Sequence, residues 1–170
     1  MEAHQGRIVK STGDGFLAEF SSASAAVRCA VHVQQAIIAL EAANEPRDRI
    51  RFRIGINMGD VIVDGSDLAG DGVNVASRLE ALAPVDGLCV SSTVFAQLRE
   101  NHGVSFVDGG EQRLKNISRP VRVYTANMTS EVAQRSPALE HAIAPGPRRL
   151  SGVVLPCTSL TADPQDDYLV

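Results

Sequence analysis

Six polar residues in this 170-residue chain have types and spacings that could do chemistry. Asp14 stands between two glycines in Gly13-Asp14-Gly15. A carboxylate held in such a turn can approach a hard cation closely, because the glycines remove side-chain obstruction. Lys10 lies four residues earlier, at the mouth of the same turn. Asn74 and Arg78 are four residues apart, so a helix carries both on one face. An amide and a guanidinium side by side could grip a sugar oxygen and a phosphate. Asp67 precedes Asn74 by seven residues, and Lys115 in Arg113-Leu-Lys-Asn116 is a candidate phosphate anchor. Each also has a plainer reading. Asp-Gly is common in ordinary hairpin turns; Asn74 and Arg78 could line a solvated face or pair with Glu80 or Asp71; Lys115 could be a surface lysine.

These residues need elements to hold them. Arg7–Lys10 and Phe16–Phe20 flank the Gly13-Asp14-Gly15 turn as a strand pair. Ser21 or Ser22 caps a long helix to about Ala43, with Val27, Ala30, Val31, Ile37 and Ile38 forming its apolar face. Ile50–Ile56 alternates with period two and reads as a half-buried strand. The turn Asn57-Met-Gly59 leads to a second strand at Asp60–Val63. A helix over Gly72–Ala83 carries Asn74 and Arg78. Then come a strand at Leu88–Ser91, a helix at Thr93–Glu100, and strands near Val104–Val107 and Val121–Tyr124. Interleaved strands and helices around a central sheet give an α/β or α+β class.

Composition limits the function classes. With 16 Lys+Arg against 20 Asp+Glu, the net charge of −4 argues against an electrostatic nucleic-acid binder. Aromatics are 4% and Trp is absent, so stacking on bases has little to work with. No continuous apolar run approaches the length of a membrane helix, and the first ten residues lack the apolar stretch of a secretory signal. Cys29, Cys89 and Cys157 form no CxxC pair, which suits a reducing cytosol. The reading is a cytoplasmic chain with neither membrane nor nucleic acid as partner. Five of the eight prolines fall within 128–170, and that region loses periodicity. Residues 1–127 read as the body, 128–149 as a linker, and 150–170 as the start of a further domain that stops almost at once.

The motifs taken together resemble the class III adenylate/guanylate cyclase catalytic domain. The likeness is carried by Gly6–Phe20, by Arg51–Val63, by Gly70-Asp-Gly-Val-Asn74-Val-Ala-Ser-Arg78-Leu-Glu80 and by Gly110–Tyr124. It covers about residues 6–126, and the type it resembles is the soluble bacterial adenylate cyclase. The resemblance implies a ferredoxin-like α+β domain with a central, mainly antiparallel sheet and flanking helices. It also implies conversion of ATP to cyclic AMP and pyrophosphate at a dimer interface, with two Mg²⁺ or Mn²⁺ ions. By position, Asp14 would hold metal, Lys10 and Asp67 would read adenine, and Asn74 would orient the ribose. Arg78 would stabilise charge on the α-phosphate, and Lys115 would hold the terminal phosphates.

The resemblance also implies a second metal aspartate, on an opening strand well ahead of the position of Asp14. That strand and the helices after it are expected to be missing here, so activity of the chain alone is expected to be impaired. Residues 153–168 resemble the segment that leads to tetratricopeptide repeats in many soluble bacterial cyclases. The partners that the resemblance implies are ATP and a second subunit, in a homodimer or in a heterodimer with a complete cyclase subunit. The alternative is a non-catalytic, cyclase-like interaction or regulatory module that binds nucleotide or pairs with a complete cyclase.

Overall fold

Period-two alternation decides which face of each strand is covered. In β2 (Gly15–Phe20), Phe16, Ala18 and Phe20 pack on the side of α1 (Ala23–Glu41). Leu17 instead joins an apolar cluster with α2 (Asp71–Leu82). β6 (Gly87–Ser91) divides the same way, with Leu88 and Val90 on the α1 side and Cys89 on the α2 side. The structure is a computed structural model and describes residues 6–11, 15–64, 67–98, 103–128 and 149–156. Within them β1 (Gly6–Ser11), β2, β3 (Arg51–Ile56), β6, β7 (Val107–Gln112), β8 (Val121–Asn127) and β9 (Arg149–Pro156) form one seven-stranded sheet. Its order is β1-β2-β9-β3-β6-β8-β7. β4 (Ile62–Asp64) and β5 (Asp67–Ala69) make a separate two-stranded sheet, and α3 (Ser92–Gln97) follows β6. The class is α+β, with a helix on each face of the main sheet.

Ser22 caps α1, its Oγ accepting from the Ala25 backbone N–H at 3.2 Å. By length and composition α1 could cross a membrane, which the absence of a long apolar run did not suggest. Here its apolar face, including Ala26, Val27, Ala30 and Val31, is buried in the sheet core. Gln34 on the same helix is fully buried, and its Nε2 donates to the Phe52 carbonyl at 3.1 Å and the Gly87 carbonyl at 3.0 Å. One amide thus ties α1 to β3 and to β6. Cys29 and Cys89 are buried free thiols, and burial pushes Cys89 up to about 12, so it stays neutral packing.

Three features depart from the sequence reading. The strand expected at Val104–Val107 begins at Val107 and runs to Gln112. Val104 and Phe106 spend their apolar side chains in the core rather than in a ladder, which gave their stretch the look of a strand. The segment after Asn57-Met-Gly59 pairs with Asp67–Ala69 in the small hairpin, not with the main sheet. The segment read as opening a further unit contributes β9, which lies between β2 and β3 and runs parallel to both. With β3 and β6 also parallel, three pairings in the main sheet are parallel and three antiparallel.

On the other face, α2 lies directly against β3 at Gly55. A Cβ there would stand 2.2 Å from the Glu80 backbone nitrogen and 2.3 Å from the Ala76 carbonyl oxygen. Neither backbone atom can swing away as a side chain could. Gly55→Ala is therefore expected to destabilise the fold by about 3 kcal/mol, the upper range for overpacking. Urea unfolding checks this, with the midpoint falling and the slope unchanged.

Candidate functional site

The first candidate owes its place to a β-bulge. β1 and β2 pair antiparallel as far as Ile8↔Ala18, and the next pair is Lys10↔Leu17, so Val9 is an extra residue. In unbroken register Lys10 would stand opposite Phe16, on the α1 side. The bulge sets it opposite Leu17, on the face shared with α2, where Val9 packs as well. Lys10 itself is exposed.

Asp67 opens β5, opposite Asp64 of β4, and its neighbour Leu68 is buried. Leu17, Leu68 and Ala76 form one apolar cluster, with Val9, Val61 and Val73 packed against it. Three candidates are chain neighbours of members of this cluster: Lys10 beside Val9, Asp67 beside Leu68, and Asn74 beside Val73. The cluster therefore gathers β1, β5 and the start of α2 into one patch. Asn74 and Arg78 stand one turn apart on the exposed side of α2. Lys115 follows Leu114, which shares a second cluster with Leu79, the neighbour of Arg78. The structure thus places the elements of Lys10, Asp67, Asn74 and Arg78 together and sets Lys115 at the far side of α2. Asp14 lies outside the described residues.

Among the described residues, the side chains of Asn74, Arg78 and Lys115 make no hydrogen bond or ion pair. The pairing of Arg78 with Glu80 or Asp71 that the spacing allowed is not formed. Their donors are turned to solvent. The described residues also contain no group of three or more His, Cys, Asp or Glu able to hold a metal ion. The expectation of metal therefore stands on Asp14 in the sequence.

The loop before β4 fixes where α2 begins. Buried Asn57 donates from Nδ2 to the Gly72 carbonyl at 3.1 Å. Gly72 lies so close to the loop that a Cβ would stand 2.8 Å from the Asp60 carbonyl oxygen. Beside this contact a cleft of about 630 Å³ opens at the C-terminal ends of β3 and β6, lined in part by Asn57, Asp60, Asp71, Ser91, Thr93 and Arg122. Of the sequence candidates, Lys10, Asn74, Arg78 and Lys115 do not line it. Arg122 pairs with Asp108, which holds the Asp108 carboxyl below its ordinary value. Asn57 escaped the sequence reading because a short turn around Asn-Met-Gly gives no hint that its amide reaches fifteen residues ahead.

Residues 1–128 match a family model described as the adenylate and guanylate cyclase catalytic domain. A protein named putative adenylate cyclase 3 from Rhizobium meliloti (strain 1021) is 43% identical over 169 residues, which is 97% of this chain and 28% of that protein. An adenylate cyclase of Streptomyces coelicolor is 35% identical over 95 residues, covering 56% of this chain and 23% of that protein. The chain therefore spans well under a third of either relative. Among solved structures, the adenylate/guanylate cyclase/hydrolase from Silicibacter pomeroyi superposes with a TM-score of 0.70 at 44% identity, over 74% of this chain and 73% of that one. The adenylyl cyclase CyaB from P. aeruginosa shares the fold, with a TM-score of 0.51 at 18% identity, over 74% of this chain and 73% of that one.

Removing the anchor of α2 should be measurable apart from any activity. Asn57→Ala removes the side-chain bond to the Gly72 carbonyl, which keeps its helical bond within α2, and is expected to cost about 0.5–1.5 kcal/mol. Urea denaturation of both proteins reads this directly.

Proposed function

Because the chain belongs to the adenylate and guanylate cyclase catalytic-domain family, we propose that it serves adenylate cyclase chemistry on ATP. The ribose 3′-hydroxyl gives its proton to water as its oxygen attacks the α-phosphorus, the bond from that phosphorus to the bridging β-phosphate oxygen breaks, and pyrophosphate leaves with the electron pair. Cyclic AMP is the other product. Lys10 donates to the adenine edge and Asp67 accepts from it. Asn74 holds the ribose, Arg78 meets the charge that grows on the α-phosphate, and Lys115 holds the terminal phosphates. Magnesium or manganese, with Asp14 as a ligand, would lower the charge of the triphosphate and ready the hydroxyl.

One observation supports this reading above the others. A single apolar cluster draws β1, β5 and α2 together, and Asn74 and Arg78 keep their donors unspent beside it. A solvated helix face or a closed ion pair would not need that convergence. The patch is open rather than enclosed, which suits a site completed by a second subunit, and a dimer is part of the proposal. The cytoplasm, where ATP is held, is the proposed compartment.

The test separates this chain's contribution from its partner's. A full-length relative with its matching Asn and Arg both replaced by alanine should be inactive alone. Mixed with this chain it is expected to regain cyclic AMP formation. Arg78→Ala in this chain should cut the regained rate by roughly 10²–10³-fold, as loss of one transition-state donor does. Heterodimer formation without rescue would overturn the proposal.

Base reading gives a second expectation. In the rescue assay Lys10→Ala should erode the preference for ATP over GTP, because a donor lost from the base edge leaves the two bases less well distinguished. A Lys10→Ala chain that keeps full preference would remove Lys10 from base reading.

A further inference from the structure

We propose that the gap between β2 and β3 is an acceptor site for an extended strand, and that Arg149–Pro156 of a second copy of this chain can fill it in place of the chain's own. The proposal is independent of the catalytic reading.

The gap demands an occupant. β2 and β3 run in the same direction and pair only through β9. The register is unbroken on both sides, from Gly15↔Ser151 to Phe20↔Pro156 and from Arg51↔Arg149 to Ile56↔Val154. Without β9 the centre of the sheet would hold two facing rows of unpaired backbone groups, which native structures avoid. The main sheet would also split into β1-β2 and β3-β6-β8-β7. Recognition here is by main-chain hydrogen bonds, and these are the same whichever chain supplies the strand.

The connection does not force the strand to come from the same chain. β8 ends at Asn127, level with Gly87; Gly87 is level with Arg53, and Arg53 with Ser151. The end of β8 and the start of β9 therefore lie at the same end of the sheet, with β6 and β3 between them. Three strand spacings separate them, about 14 Å. The intervening residues 129–148 are long enough to span about 70 Å fully extended, several times what the crossing needs. No other pairing in the sheet uses β9, so exchanging it between two copies disturbs nothing else. Swapping one identical element is a low-cost route to a dimer.

The test uses the full chain with Cys157→Ser, since Cys29 and Cys89 are buried. Glu19 pairs with Leu155 in the register of β2 and β9. A chain carrying only Glu19→Cys is mixed in urea with one carrying only Leu155→Cys, refolded at rising concentration, and oxidised. The expected product is a disulfide-linked species of twice 18.1 kDa whose yield rises with concentration. The double variant Glu19→Cys/Leu155→Cys at low concentration should close its disulfide within one chain. Crosslinking in the double variant alone would overturn the exchange. Crosslinking in neither would overturn the acceptor site itself. Equal product from Glu19→Cys mixed with Leu150→Cys, which is out of register, would mean collision rather than pairing and would also overturn it.

Discussion

The close approach of α2 to β3 is the constraint on which the rest depends. Gly55 has no side chain, and Ala76 and Glu80 offer only backbone at the point of contact. A helix set this low on a sheet cannot shift sideways without meeting the flanking strands. Its outward edge is therefore fixed as well, and Asn74 and Arg78 occupy that edge. The same helix joins two apolar clusters, one reaching β1 and β5 and the other reaching Leu114 before Lys115. Every candidate residue in the described region is thus either on α2 or one residue away from something packed in a cluster with it.

The opposite face holds β3 in place for that contact. Gln34 of α1 bridges the Phe52 and Gly87 carbonyls, and Arg51 pairs with Asp86, whose backbone N–H donates to the same Phe52 carbonyl at 2.8 Å. Asp86 sits at positive φ (58°), so the turn into β6 is held by side-chain and main-chain bonds together. Directional bonds of this kind, two of them from the Gln34 amide nitrogen, give a unique arrangement where apolar contacts alone would tolerate slippage. The position of β3 is specified from both sides of the sheet.

The sequence made the local elements legible and left the pairings hidden. Ile50–Ile56 announced a strand by its alternation, and the pair Ser21-Ser22 announced the start of α1, which Ser22 caps. The spacing of Asn74 and Arg78 gave the helix face correctly, because helical periodicity is a property of consecutive residues. What could not be read depends on distant partners. A bulge at Val9 leaves no mark in composition, although it decides which face Lys10 takes. Val104 and Phe106 look like strand residues and serve the core without a ladder. The last segment could be read as a strand, but nothing in its residues named β2 and β3 as its neighbours. Asp14 and the side chain of Asp67 keep the status that the sequence gave them.

Both outer strands of the main sheet are interrupted. β1 shifts register between Ile8 and Lys10, and β7 shifts between Asp108 and Glu111, where Gly110 adopts φ 71°. Each edge also carries charge, Arg7 and Lys10 on one and Asp108 and Glu111 on the other. A kinked, charged border is a poor template for another strand. The sheet therefore cannot be lengthened at its ends into a fibre of stacked copies, and wherever two of these molecules meet, they must do so by a route other than growing one sheet onto the next.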